Sequence, residues 1–327
     1  MSTAILPEQM MLRYSALLLA FGLSAHPAHA PQTAAVNEKL MGRWDITIDT
    51  PQGKLPSWLE VEIPGSHSGG DSYAGRFVGV VGSARPIERV TLSGDSLHFS
   101  IPKQWENGDG NLIVDARLDG DNRLVGRMIF PDKRMADFTA VRAPVLRPTR
   151  APVWGAPVAL IRRGTAGWHT QRGGTNQWEV VNGVLRSPHS GENLITDRTF
   201  RDFKLHVEFR YPKESNSGVY LRGRHEVQVQ DDYGLEPLDD RFAGVYGFIE
   251  PNAMAARPAG QWNSYDITLI GRRVTVVANG MRVISDQTIP GITGGALDSN
   301  EGEPGPIMLQ GDHGPVEYRN IVITPAR

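Results

Sequence analysis

The sequence predicts an all-β protein in two parts, a small β-barrel or meander followed by a jelly-roll sandwich. Three observations carry this. Apolar residues recur with a period of two over short runs. Gly-containing turn signals separate those runs, about every 10 residues in the first half. No stretch shows the 3.6-residue periodicity of a helix. The chain has 327 residues, enough for two domains, and 40% are hydrophobic, so each half can bury a core.

Residues 1–30 read as a secretory signal peptide. Arg13 supplies a positive charge, an apolar stretch begins near Tyr14 and runs through Leu18–Leu23, and Ala28-His29-Ala30 is a small-x-small cleavage signal. The stretch is too short for a permanent membrane span. A periplasmic or secreted location is the expectation, and the absence of cysteine excludes a lipid anchor there. Residues 31–39 form a tether, and the first domain then covers 40–143. Trp44-Ile46-Ile48, Leu59-Val61-Ile63, Val78-Val80 and Leu97-Phe99-Ile101 alternate with polar residues, and 124–129 and 138–141 continue the pattern. Gly53, Gly94-Asp95 and Gly120-Asp121 mark turns.

Residues 144–155 form a linker rich in proline, including Pro144, Pro148 and Pro152. The second domain covers 156–327. Its expected strands are 178–181, 184–187, 193–196, 203–210, 218–222, 226–230, 264–270, 273–278, 281–285, 307–310 and 316–323. Asn182-Gly183 and Asn279-Gly280 are strong hairpin turns. So many short strands in about 170 residues point to a sandwich of jelly-roll type.

Composition excludes several function classes. The net charge is −2 with no basic run, which argues against nucleic acid as a partner. With no cysteine, disulfides, thiolate metal sites and cysteine nucleophiles are excluded. After the signal segment no stretch is apolar enough to span a membrane.

The stretch from Asn216 to Gly234 carries most of the functional signal. Val219, Leu221, Val227 and Val229 share one parity; Tyr220, Arg222, Glu226, Gln228 and Gln230 share the other. A three-residue loop, Gly223–His225, keeps both apolar sets on one core and places Arg222 opposite Glu226 and Tyr220 opposite Gln228. The resulting polar face is rich in planar donors and acceptors, suited to a small polyhydroxylated ligand. It leads into Asp231, Asp232, Tyr233 and Gly234.

These residues belong to an ordered set of motifs. Trp178 and Asn182-Gly183 come first, followed by Phe203, Asn216-Ser217-Gly218 with Arg222, Glu226-Val227-Gln228 with Asp231, and Gly244 with Tyr246-Gly247. Gln261-Trp262-Asn263, Asn279-Gly280, Gly305-Pro306-Ile307, Leu309-Gln310, His313-Gly314 and Arg319-Asn320-Ile321 complete it. Over about Ala156–Pro325 this resembles the 3-keto-disaccharide hydrolase family. The resemblance implies a concanavalin-like jelly roll acting on glycosides already oxidised at C3, by hydrolysis or by lyase cleavage of the C1–O bond. The first domain resembles a lipocalin-like barrel. Two departures stand out: the family often has an aromatic residue where His225 stands and an apolar one where Gln230 stands.

A C3 ketone acidifies the C2 proton, so the chemistry needs a base near C2, an electrophile at the C3 oxygen and an acid at the leaving oxygen. Candidate catalytic residues are Glu226 and Asp231 as bases, His313 as acid or base, and Arg222 for the oxyanion. Candidate substrate-binding residues are Tyr220, Gln228, Gln230, Tyr246, Trp262 and Gln310. No cofactor is required by the pattern; a divalent cation on Glu226, Asp231 and His313 is the rival arrangement. A non-catalytic carbohydrate-binding module and a two-carboxylate glycosidase are the other readings. Trp44, Trp168 and Trp178 read as core.

Overall fold

Trp44, Ile46 and Ile48 alternate along strand β1 (Gly42–Thr50), and all three enter one apolar core. Seven strands follow: β2 (Gly53–Glu62), β3 (Tyr73–Val78), β4 (Arg85–Ser93), β5 (Ser96–Pro102), β6 (Asn111–Leu118), β7 (Arg123–Ile129) and β8 (Met135–Arg142). Each pairs antiparallel with the next, and β8 returns to β1, so the meander closes into a barrel. Closure leaves no unpaired edge. The computed structural model describes residues 38–62, 73–147, 150–162 and 164–327. The expected signal peptide, most of the tether, Ile63 and Pro148 lie outside the described residues.

The strands β4 and β6 are not among those read from the sequence. In β4 only Ile87 and Val90 point inward, three residues apart, because a bulge shifts its register against β3. That breaks the period of two which betrays the other strands.

The second part contains β9 (Val158–Ala159), β10 (Trp168–Thr170), β11 (Glu179–Val181), β12 (Val184–Ser187), β13 (Leu194–Phe200), β14 (Phe203–Arg210) and β15 (Asn216–Leu221). It continues with β16 (His225–Gln230), β17 (Asn263–Ile270), β18 (Arg273–Ala278), β19 (Met281–Thr288), β20 (Gly305–Leu309) and β21 (Val316–Pro325). A five-stranded sheet runs in the order β10-β13-β20-β15-β16. A larger sheet runs β11-β12-β21-β14-β17-β18-β19, with β9 added against β21. Phe203, Leu205, Val207 and Phe209 of β14 meet Val219, Leu221, Val227 and Val229 of the hairpin in the core between the sheets. The odd positions of β15 and β16 therefore face inward, and their even positions face outward.

The barrel packs against the sandwich through its β2–β3 side. Trp58 and Val78 cluster with Ile292 and Ala296, and Trp58 meets Phe248 edge-on at 5.3 Å. Gly291 passes so close to the Trp58 indole that a β-carbon there would overlap it. Thr47 and Ser299 share a hydrogen bond of 2.6 Å across the same junction. Beside it lies a buried carboxyl pair, Asp45 of β1 and Glu301. Burial, then the Glu301 charge, pushes the Asp45 carboxyl up to about 9, so it is protonated at neutral pH and bonds to Glu301. Arg272 neutralises Glu301 and also donates to the Pro290 carbonyl (2.7 Å) and the Pro144 carbonyl (3.2 Å).

Trp58→Ala removes the central side chain of this junction. A loss of about 3–5 kcal/mol is expected, read by denaturant unfolding, with one cooperative transition splitting into two in calorimetry.

Candidate functional site

The hairpin keeps the expected faces but not the expected register. Leu221 pairs with His225, Tyr220 with Glu226 and Gly218 with Gln228. The three-residue connection is Arg222–Gly223–Arg224 rather than Gly223–His225. Arg222 and Gly223 both have positive φ (54° and 65°), and the Arg224 N–H returns to the Leu221 carbonyl at 3.1 Å, a type I′ geometry. Sliding the pairing by two residues preserves which side chains are buried, so the parity of the apolar residues cannot distinguish the two registers.

On the outer face of the five-stranded sheet the pairings build rows. Ile195, Met308, Tyr220 and Glu226 stand side by side across four strands. The next row runs through Gln310, Gly218 and Gln228, where the Gln310 N–H bonds to the Gly218 carbonyl at 2.9 Å. Asn216 and Gln230 pair beyond them, and the Asn216 amide donates to Gln230 Oε1 at 3.1 Å. Gly218 sits in the middle of this floor. A β-carbon there would overlap the Glu226 carboxyl, so the missing side chain is the space into which that carboxyl leans. The open edge of β16 is covered by residues 243–249, and the Tyr246 N–H donates to the Glu226 carbonyl at 3.1 Å.

Glu226 is 4% exposed. Burial raises its carboxyl to about 8, against the lowering effects of the Tyr220 hydrogen bond and the His313 charge. The Tyr220 hydroxyl lies 2.8 Å from Glu226 Oε2 and 3.0 Å from the Gly294 carbonyl. One phenolic proton cannot serve both acceptors. Both contacts are satisfied when Glu226 is protonated, donating to Tyr220 while Tyr220 donates to Gly294. The geometry therefore suits the neutral acid.

His313 lies in the turn after β20, near enough to Glu226 that each shifts the other's titration. Its Nδ1 is 2.7 Å from Asp312 Oδ1, and this bond, opposed by burial and aided by the Asp312 and Glu226 charges, raises the imidazole above its ordinary value. Asp312 is half-buried, which opposes its ionisation, but His313 and Arg172 hold it below the usual carboxylate value. Asn193 fixes this turn, accepting the Gly311 N–H at 2.7 Å. Three buried side-chain acceptors on or beside the floor have no partner: Asn216 Oδ1, Gln228 Oε1 and Gln310 Oε1. Unpaired acceptors in a buried setting are costly and suit hydroxyl donors from a ligand.

The structure thus brings together Glu226, His313, Tyr220, Gln228, Gln230, Gln310 and Tyr246. It does not bring in the other three expected residues. Arg222 turns away at the hairpin, where its Nη2 donates to the Gly271 carbonyl at 2.7 Å and burial lowers its guanidinium to about 10. Asp231 lies five residues beyond Glu226, roughly 16 Å along an extended chain, and accepts the Glu214 N–H at 2.9 Å. Trp262 sits across the sandwich on the larger sheet, between Arg319 (3.9 Å from its ring) and Arg210 (4.9 Å). His225 is fully buried with its Nδ1 3.2 Å from the Gly291 carbonyl, so this departure from the family does not touch the site.

Glu226, Asp231 and His313 do not form a metal set, and among the described residues no group of three or more His, Cys, Asp or Glu does. Asp232, near the end of the same polar stripe, is tied to Gln230 and the Phe242 N–H rather than turned toward a partner carboxylate. Asp312 behind His313, Asn193 and Gly218 are the functional positions that sequence reasoning passed over or gave no role, and Tyr220, expected to bind substrate, is instead bonded to Glu226. The Asp312-His313 dipeptide was the available signal.

Residues 163–324 match the family model described as the 3-keto-alpha-glucoside-1,2-lyase-like domain. The C-terminal domain belongs to this family. The 3-keto-alpha-glucoside-1,2-lyase-like domain is thus the whole sandwich apart from its first strand and last residues. Among solved structures, a protein of Parabacteroides distasonis provisionally named a glycosyl hydrolase is 27% identical, covering 55% of this chain and 94% of its own, with a TM-score of 0.44. A second such protein from the same organism is 21% identical over 52% and 98%, TM-score 0.42. The carbohydrate-binding module CBM66 of Bacillus subtilis is 12% identical over 48% and 95%, TM-score 0.34. No curated protein matches the chain. Family membership makes this a carbohydrate-related domain. Among the described residues no helix is long and apolar enough to cross a membrane.

Two outcomes follow from the lyase-like domain's buried acid. Its folded-state value is raised from 4.5 to about 8, so the unfolded chain releases this proton first and stability falls as pH rises across that window. Glu226→Gln removes the penalty: the melting temperature should rise by about 5 °C at pH 8 and not change near pH 4. Gly218→Ala, at a position without positive φ, should fold normally yet displace the carboxyl, detected as loss of the raised Glu226 titration in difference infrared spectra.

Proposed function

We propose that this protein cleaves 3-keto-glycosides by removing the C2 proton and expelling the C1 substituent. The observation that carries the reading is a carboxyl and an imidazole close enough to shift each other's titration: Glu226, held neutral by burial up to about 8, and His313, backed by Asp312. A neutral carboxyl that can donate a proton beside an imidazole that can accept one near neutral pH supplies an acid and a base. The family description supports the substrate class, a 3-keto-alpha-glucoside, and an elimination across C1 and C2.

In this mechanism neutral His313 takes the C2 proton through Nε2, since Nδ1 is engaged with Asp312. The C2–H electrons form the enolate, with its charge on the C3 oxygen. The imidazolium just formed offsets that charge, filling the electrostatic role that Arg222 is not placed to fill. The enolate then re-forms the ketone, its electrons make the C1–C2 double bond, and the C1–O bond breaks. Glu226 gives its proton to the departing oxygen and is re-protonated through Tyr220 or solvent. Water adding across C1–C2 converts elimination into net hydrolysis. Asn216, Gln228 and Gln310 offer the acceptors that orient ring hydroxyls.

The signal segment supports an exported protein, checked by the mass of the mature N-terminus after expression in a bacterial host.

NMR analysis of products from a 3-keto-glucoside tests the reaction. Glu226→Gln and His313→Ala should each lower kcat by at least ~100-fold while binding survives. The profile of kcat/KM should be bell-shaped, with an acid limb above 6.5 from His313 and a basic limb near 8 from Glu226. A rate that climbs through pH 8 would make Glu226 the base instead. Absence of cleavage of any 3-keto-glucoside, with or without added divalent cation, ends the reading.

A further inference from the structure

The barrel is not remote from this site. Its β5–β6 loop carries Trp105, whose side chain is 68% exposed, the most exposed aromatic among the large hydrophobic residues described. Tryptophan is highly buried on average, so one this exposed is unusual. Here the loop is fixed. Glu106, largely buried, accepts the Gln104 N–H at 2.7 Å and the Trp105 N–H at 3.2 Å, and pairs with Arg85 at 2.6 Å. Arg85 also donates to the Pro102 carbonyl at 2.8 Å. Gln104 and Ser83 exchange two hydrogen bonds, at 3.1 and 2.8 Å. A rigid backbone that presents a bare indole loses little entropy when a ring settles on it.

Two independent paths lead from this indole to Glu226. The first runs through Tyr246, whose hydroxyl titration is influenced both by the Trp105 indole and by Glu226. The second runs through three glycines. Trp105 lies over Gly82, where a β-carbon would meet the indole at 2.9 Å. Gly82 is pressed against Gly294, whose carbonyl faces Tyr220, the hydrogen-bond partner of Glu226. A β-carbon on Gly295 would meet the Tyr220 hydroxyl at 2.6 Å, so both glycines are needed for this approach. The Gly295 N–H donates to the Val80 carbonyl at 2.9 Å, tying the loop to the barrel.

We infer that Trp105 is a substrate platform supplied by the barrel, stacking on the flat apolar face of the ring attached beyond the sugar that reacts at Glu226. Two ring types share that chemistry, a second sugar and an aromatic aglycone. The barrel then sets which glycosides are accepted, while the sandwich performs the cleavage. The inference rests on the reaction proposed above.

The test compares Trp105→Ala with the unaltered protein on three substrates: a 3-keto-disaccharide, p-nitrophenyl 3-keto-glucoside and methyl 3-keto-glucoside. An exposed side chain is removed, so folding is unaffected. Expected is a ~10-fold fall in kcat/KM, carried by KM, for the disaccharide, the nitrophenyl substrate or both, and no change for the methyl glycoside. Which of the two falls identifies the ring type. Equal effects on all three, or none, overturn the inference. To separate this from failure of the reaction itself, saturation-transfer NMR is run on Glu226→Gln protein with p-nitrophenyl glucoside and with an unoxidised disaccharide. Transfer to the outer ring that is lost on adding Trp105→Ala supports the platform even if no cleavage occurs. Transfer that persists without Trp105, or is absent from the start for both probes, refutes it.

Discussion

A carboxylic acid buried in a sheet face, where burial outweighs the nearby His313 charge, is the constraint around which the site is arranged. Ionised Glu226 would be held away from water with, among the described residues, Tyr220 as its one side-chain donor, so the proton stays on. Gly218 leaves the space, Tyr220 relays the proton toward Gly294, and Thr293 accepts the Glu226 N–H at 3.0 Å. These contacts come from β15 and from the loop 291–297. The acid is thus a joint product of the hairpin, of the loop 291–297 and of the barrel against which that loop is packed.

The junction repeats the same physics. Asp45 and Glu301 face one another in the dry space between barrel and sandwich, and one of them keeps its proton. Arg272 answers the remaining charge and also gathers two proline carbonyls, one from the segment after β8. Buried charge of this sort is a weak source of stability but fixes orientation. The junction that holds the two parts at one angle also holds Gly294 and Gly295 against Tyr220.

Much of this was readable from period-two patterns. The strands β14 and β18 fall where alternation puts them, and the outward set Tyr220, Glu226, Gln228 and Gln230 follows from parity alone. The register did not, because a shift of two residues preserves every face, and because arginine at a left-handed turn position gives no signal. Arg222 was therefore assigned to Glu226 when it belongs to the turn. Trp262 was misplaced for another reason: a tryptophan held between two guanidinium groups on the outer sheet resembles, in sequence, one that awaits a sugar. The pairing of Asp312 with His313 depends on a turn fixed by Asn193, more than a hundred residues earlier, which local patterns do not reveal.

The protonation of Glu226 at neutral pH is the claim on which the chemistry turns. It is measured most directly by following the side-chain carboxyl carbon of Glu226 by carbon-13 NMR from pH 4 to pH 10, assigned by its absence in Glu226→Gln. A single titration with a midpoint near 8 is the result predicted here. A midpoint near 4.5, the ordinary value, would contradict the account, since the carboxylate would then be ionised throughout the working range and could not act as the acid.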